Sequence, residues 1–180
     1  MTLKAELRQK LDKAKRVAFL GIGSELRGDD AAGVLVVEKL AGIIKKPPKN
    51  KKIRFFNGGT APENLTGEIK RFKPTHLVII DSAHLKKEPG SISLLDSKMI
   101  CGSSFSTHRL PLKILADYLG QFFRLEVIFV GIQPESFGYC VSPTGKVQRS
   151  IHRLSRQIGQ LFCAEVRSRK KGRQAKSQKR

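Results

Sequence analysis

The stretch from Val17 to Leu40, VAFLGIGSELRGDDAAGVLVVEKL, constrains this chain more than any other. A short apolar run, Val17 to Leu20, leads into a turn built on Gly21, Gly23 and Gly28. A helical pattern follows, with Ala31, Val34, Leu35 and Leu40 as core positions. Strand, glycine-rich turn and helix make the first half of a βαβ unit. Turns of this kind usually hold phosphate on the amides of a helix N-terminus. Here the turn ends in Asp29 and Asp30. Gly23 to Gly28 has the glycine spacing of a P-loop, but two carboxylates stand where that motif needs Lys and Ser or Thr. Leu26 occupies the third glycine position of GxGxxG. Both mismatches disfavour nucleotide binding at this turn. Two roles remain for the acids. Either Asp29 caps the helix and Asp30 complements the positive end of its dipole, or one of them faces a cleft and binds a metal.

The rest of the chain alternates in the same way. Leu3, Leu7 and Leu11 recur at helical spacing, so residues 3–15 are expected to form an extra helix before a strand at Arg16 to Ile22. The glycine-turn helix is expected from about Asp30 to Leu40. Lys52 to Asn57 reads as a second strand, followed by a helix that starts near Thr60, Pro62 and Glu63 and runs toward Phe72. His76 to Asp81, HLVIID, is a near-continuous apolar run, as expected for a strand buried on both faces. Ser91 to Asp96 follows after too few residues for a crossover helix and should pair antiparallel. Residues 97–107 read as a mobile loop, and Pro111 opens a helix carrying Leu112, Leu115 and Leu119. Leu125 to Val130 is another buried strand. A last long helix carries Val147, Ile151, Leu154, Ile158 and Leu161 on one face. This pattern predicts a three-layer α/β/α sandwich with a twisted, mostly parallel mixed sheet. Residues 1–166 are read as one domain.

Charge is uneven. The 180 residues carry a net charge of +20, and the segment 167–180, RSRKKGRQAKSQKR, has no acid and no large apolar side chain. It is expected to be a disordered, solvated tail. No aromatic residue is interleaved for base stacking, which weighs against nucleic acid as its partner. Cys101, Cys140 and Cys163 form no CxxC pair and are expected to be reduced and structural, with Cys163 in the core. No apolar run is long enough to span a bilayer, and MTLKAELRQKLDKAKR has no signal-peptide core, so membrane insertion is not expected and the protein is expected in the cytoplasm.

In parallel sheets, function gathers beyond the carboxyl ends of the strands. Three chemistry-bearing residues fall there: Asp30 after the first strand, Asp81 at the end of HLVIID, and His108 in the loop before the Pro111 helix. Two carboxylates and an imidazole form a plausible N/O ligand set for nickel, zinc or iron. The competing reading makes each Asp a cap or turn residue. His84, three residues past Asp81, is the rival imidazole; His76 and His152 are read as structural or solvent-facing. No HExxH helix marks a resident catalytic zinc.

Five ordered segments, GIGSELRGDDAAG, GGTAPEN, HLVIIDSA, STHRLPL and VIFVGIQPESFGY, resemble the maturation proteases of nickel–iron hydrogenases. The GGTAPEN and GIQP segments look most like the subgroup serving formate hydrogenlyase and related membrane-bound hydrogenases. The resemblance covers about Val17 to Ile158 and leaves the N-terminal helix and the basic tail outside it. It implies an endopeptidase that removes the C-terminal extension of a hydrogenase large-subunit precursor after nickel insertion. It implies that Asp30, Asp81 and His108 contact the metal, that Asp30 and Asp81 serve as catalytic carboxylates, and that the nickel is supplied by the precursor. The expected partner is the nickel-loaded precursor, met by a monomer. The alternative is a nickel-sensing maturation chaperone that does not cut.

Overall fold

A computed structural model of the protein describes residues 1–95 and 109–177. The elements follow the alternation of the sequence. In chain order they are α1 (Leu3–Leu11), β1 (Arg16–Ile22), α2 (Ala32–Ile43), β2 (Lys52–Gly59), α3 (Thr66–Phe72), β3 (His76–Ser82), β4 (Ile92–Leu95), α4 (Arg109–Gly120), β5 (Glu126–Ile132) and α5 (Gly145–Ser177). Short 3-10 turns at Gly28–Ala31 and Pro62–Leu65 precede α2 and α3.

The strands form one sheet in the order β2-β1-β3-β5-β4. The first four in that order run parallel, and β4 pairs antiparallel with β5 at the edge. The nine residues between β3 and β4, 83–91, are too few for a crossover helix, which is why β4 reverses. Every residue of β3 is buried, as a central strand covered on both faces requires. Val78 and Ile80 point into a cluster with Leu7 and Leu11 of α1, Val36 and Leu40 of α2, and Ile151, Leu154 and Ile158 of α5. Leu77 and Ile79 point the other way, against Ile69 and Phe72 of α3 and Leu112, Leu115 and Leu119 of α4. Two apolar clusters on opposite faces of one sheet make the expected three-layer α/β/α sandwich.

Three local differences from the sequence reading have physical causes. First, α1 ends at Leu11 rather than continuing to residue 15. The buried Lys51 ammonium takes up the chain there, donating to the carbonyls of Leu11, Asp12 and Ala14 at 2.9–3.1 Å. Second, Cys163 is exposed, not core; its neighbour Phe162 fills the interior against Phe19. Third, α5 continues as helix to Ser177, into the segment expected to be a disordered tail. Lys, Arg, Gln and Ala are good helix formers and no proline interrupts them. The loop expected at 97–107, and Cys101 within it, lie outside the described residues.

His76 opens β3 in a buried position at the opposite end of the sheet from the glycine turn. Burial, helped by the Lys51 charge, pushes its pKa below the ordinary value, although Glu126 pulls the other way. Its Nε2 stands 3.2 Å from a Glu126 carboxylate oxygen without the alignment of a hydrogen bond. A base whose folded pKa is depressed is unpenalised above its unfolded pKa of about 6.5. Stability is then lost as pH falls from that value through the lower folded one. Melting curves at pH 7.5 and about pH 5 are expected to show a larger loss for the wild type than for His76→Gln. Equal losses would remove His76 from the acid response.

Candidate active site

The carboxyl ends of β1 and β3 carry the candidate residues, and glycine contacts hold the intervening turn against them. Gly21, next to last in β1, faces Gly33 in the first turn of α2; a Cβ on Gly21 would lie 2.5 Å from the Gly33 carbonyl oxygen. Gly33 in turn sits over both strands, where a Cβ would lie 2.1 Å from the Ile80 oxygen and 2.5 Å from the Ile22 oxygen. Side chains are excluded at both positions, so the helix comes down onto the backbone of the sheet. The 3-10 turn Gly28–Ala31, which precedes α2, therefore packs on β3 as well.

The glycine turn itself closes on Asp30. Gly23 has φ +126°, and a Cβ there would collide with the Asp30 carbonyl oxygen at 1.7 Å. Only glycine adopts this backbone without strain. The Ser24 amide then donates to the Asp30 carboxylate at 2.9 Å. One oxygen is thereby fixed, and Asp30 keeps 8% of its surface open. A carboxylate held by a backbone N–H is a preorganised acceptor or ligand.

Asp81 lies at the last-but-one position of β3, in register with Gly131 of β5, and is 7% exposed. Strand alternation puts it on the α4 side, with Leu77 and Ile79. There it lines a cavity of about 20 Å³ with Ile79, Ala83, Leu95, Leu112, Phe129 and Val130. That is room for about one water molecule. Ser82, the next residue, is buried with an unpartnered hydroxyl. Two larger hollows, one between α1 and β4 and one between α2 and α5, contain neither Asp30 nor Asp81.

His108, the third residue singled out, lies outside the described residues and immediately precedes α4 in the chain. Among the described residues no group of three His, Cys, Asp or Glu side chains is assembled to hold a metal. His84, the rival imidazole, is exposed and packs edge-on against Phe137, with ring centroids 5.8 Å apart. His152 is exposed on α5 beside Arg149, Arg153 and Arg156.

Asp29 has a role that the sequence did not reveal. It does not cap its own helix. Its carboxylate is fully buried and accepts from the amides of Glu135, Ser136 and Thr144 at 2.6–3.0 Å, and from the Thr144 hydroxyl at 3.1 Å. Four donors from the segment after β5 neutralise a charge that would otherwise be costly to bury. Asp29 thus ties the glycine turn to the loop leading into α5, while Asp30, its neighbour, is bonded to Ser24 within the turn. The partners lie 106–115 residues away, so no local pattern signals them.

With this geometry in view, likeness to known proteins decides the family. The sequence profile of the HycI hydrogenase maturation proteases matches residues 34–160, most of the chain. This chain belongs to the hydrogenase maturation protease family. It is 41% identical over 141 residues to a Methanocaldococcus jannaschii protein assigned to the same family, covering 77% of this chain and 83% of that protein. It is 34% identical over 141 residues to the hydrogenase 3 maturation protease of Escherichia coli K12, covering 78% and 86%. The crystal structure of a nickel–iron hydrogenase maturation protease, HycI from Thermococcus kodakarensis KOD1, superposes with a TM-score of 0.79 at 33% identity, over 87% of this chain and 98% of that one. This hydrogenase maturation protease is accordingly an endopeptidase with the α/β sandwich of its relatives. Among its described residues no helix is long and apolar enough to cross a membrane.

Proposed function

We propose that the enzyme removes the C-terminal extension of a nickel–iron hydrogenase large-subunit precursor once nickel has been inserted. The observation that carries this reading is the arrangement at the carboxyl ends of β1 and β3. A preorganised carboxylate, Asp30, sits on a turn packed against the strand that carries Asp81 next to its end. The precursor's own nickel is part of the substrate, and Asp30, Asp81 and His108 are the residues to contact it. An N/O set of this composition suits nickel. Contact with the metal positions the scissile peptide beside the two carboxylates. One of them takes a proton from water as the oxygen adds to the peptide carbonyl carbon, and returns it to the amine as the C–N bond breaks.

The test is a cleavage assay on the purified precursor, nickel-loaded and nickel-free, read by the mass of its C-terminus. Loss of a short C-terminal peptide from the nickel-loaded form alone is the expected result. Equal cleavage of both forms would remove the metal from recognition. Cleavage elsewhere in the precursor would overturn the assignment of the bond.

A further inference from the structure

Two loops beside Asp30 gather apolar side chains at the surface. Leu26 is 56% exposed, Tyr139 72% and Val141 52%. They belong to one patch, because the Cys140 amide donates to the Leu26 carbonyl at 2.8 Å. Val141 Cγ2 also lies against Gly28 and Gly138, where a Cβ on Gly138 would meet it at 2.9 Å. Arg27 and His84 pack on Phe137 at its margin.

The patch is built rather than frayed. Asp29 holds the 135–144 segment with the four bonds described above, and its own amide donates to the Ser136 carbonyl at 3.2 Å. Cys140 adopts φ +53°, a left-handed conformation that side chains rarely take without such support. A preformed loop loses little conformational freedom when it binds. Exposed apolar surface with a polar margin is the usual mark of a protein contact.

We infer that the Leu26–Tyr139–Val141 surface docks an apolar part of the hydrogenase precursor next to its scissile bond. The inference rests on the function proposed above. The occupant follows from continuity with the candidate site. The turn that carries Asp30 is bonded to both loops of the patch, through Asp30 N to the Arg27 carbonyl and Asp29 N to the Ser136 carbonyl. Whatever presents a peptide bond to Asp30 lies beside Leu26 and its neighbours. The patch is also uncharged on a chain of net charge +20, so the contact it offers is one that salt does not screen.

The experiment measures binding and cleavage separately. The affinity of immobilised nickel-loaded precursor is compared for the wild type and for the triple variant Leu26→Ser, Tyr139→Ser, Val141→Ser, at low and high salt. Tyr139→Ala alone, at the most exposed of the three side chains, guards against a triple variant that does not fold. A loss of tenfold or more in affinity at both salt concentrations, with a rise in KM and little change in kcat, is the expected result. Unchanged affinity in the folded variants overturns the docking surface and leaves the proposed cleavage standing. Binding by the wild type without cleavage overturns the proposed function, while the variants' affinities still decide the surface. No binding by the wild type overturns both.

Discussion

Replacing Asp30 with Asn is expected to abolish precursor cleavage while leaving the domain folded. The two halves of that outcome have separate causes. Asp30 accepts one backbone hydrogen bond, from Ser24, and an Asn side-chain oxygen accepts the same bond from the same place. With that bond kept, the cost in stability is expected to be about 1 kcal/mol or less. The chemistry fares differently. An amide neither takes a proton from water nor binds a metal as a carboxylate does, and loss of a positioned base typically costs about 10²–10⁴-fold in rate. Its neighbour supplies the control. Asp29→Asn turns an NH₂ group toward some of the four donors that now converge on a buried carboxylate. It is expected to destabilise the fold by about 1–3 kcal/mol for each buried donor left without an acceptor. Thermal melts and the precursor assay on the two variants separate the roles. An Asp30→Asn enzyme that cleaves at the wild-type rate would refute the assignment, and an Asp29→Asn protein with an unchanged melt would refute the clamp.

That contrast marks how far the sequence can be read. The strands were legible because burial on both faces forces continuous apolar runs such as HLVII. The reversal of β4 was legible because chain length alone forbids a crossover. The positions of Asp30, on the turn after β1, and Asp81, near the end of β3, were legible because the strand boundaries were. Asp29 was misread because a cap and a long-range clamp look alike locally. Both place an acid before a helix, and only the fold brings Glu135, Ser136 and Thr144 to it. Lys51 escaped notice for a similar reason. It sits in a run of lysines in the sequence, and nothing there separates the one whose ammonium is buried on three carbonyls from its solvated neighbours. Cys163 was placed inward because the apolar stripe of α5 drifts by a residue toward its end, where Phe162 takes the interior position.

A large effect on stability is expected at Gly33. An alanine there normally favours a helix over glycine by about 1 kcal/mol. Here its methyl group would lie 2.1 Å from the Ile80 oxygen and 2.5 Å from the Ile22 oxygen. Both are backbone atoms of buried strands, so no flexible side chain moves aside, and α2 has to lift off the sheet. Overpacking of this kind costs about 1–3 kcal/mol and sometimes more. Contact with two strands at once puts Gly33→Ala at the upper end, about 3 kcal/mol net, or roughly 6–12 °C in melting temperature for a domain of this size. Gly42→Ala tests the argument from the other side. It lies in the last turn of the same helix with nothing within 4 Å of its would-be Cβ, so only the helix preference acts. It is expected to stabilise by up to about 1 kcal/mol. Opposite signs in calorimetry would show that close approach to the sheet, not helix propensity, selects the glycine at position 33. Equal signs would refute it. The same displacement would shift Asp30, three residues earlier in the chain, so Gly33→Ala is also expected to lose precursor cleavage below its melting temperature, where Gly42→Ala retains it.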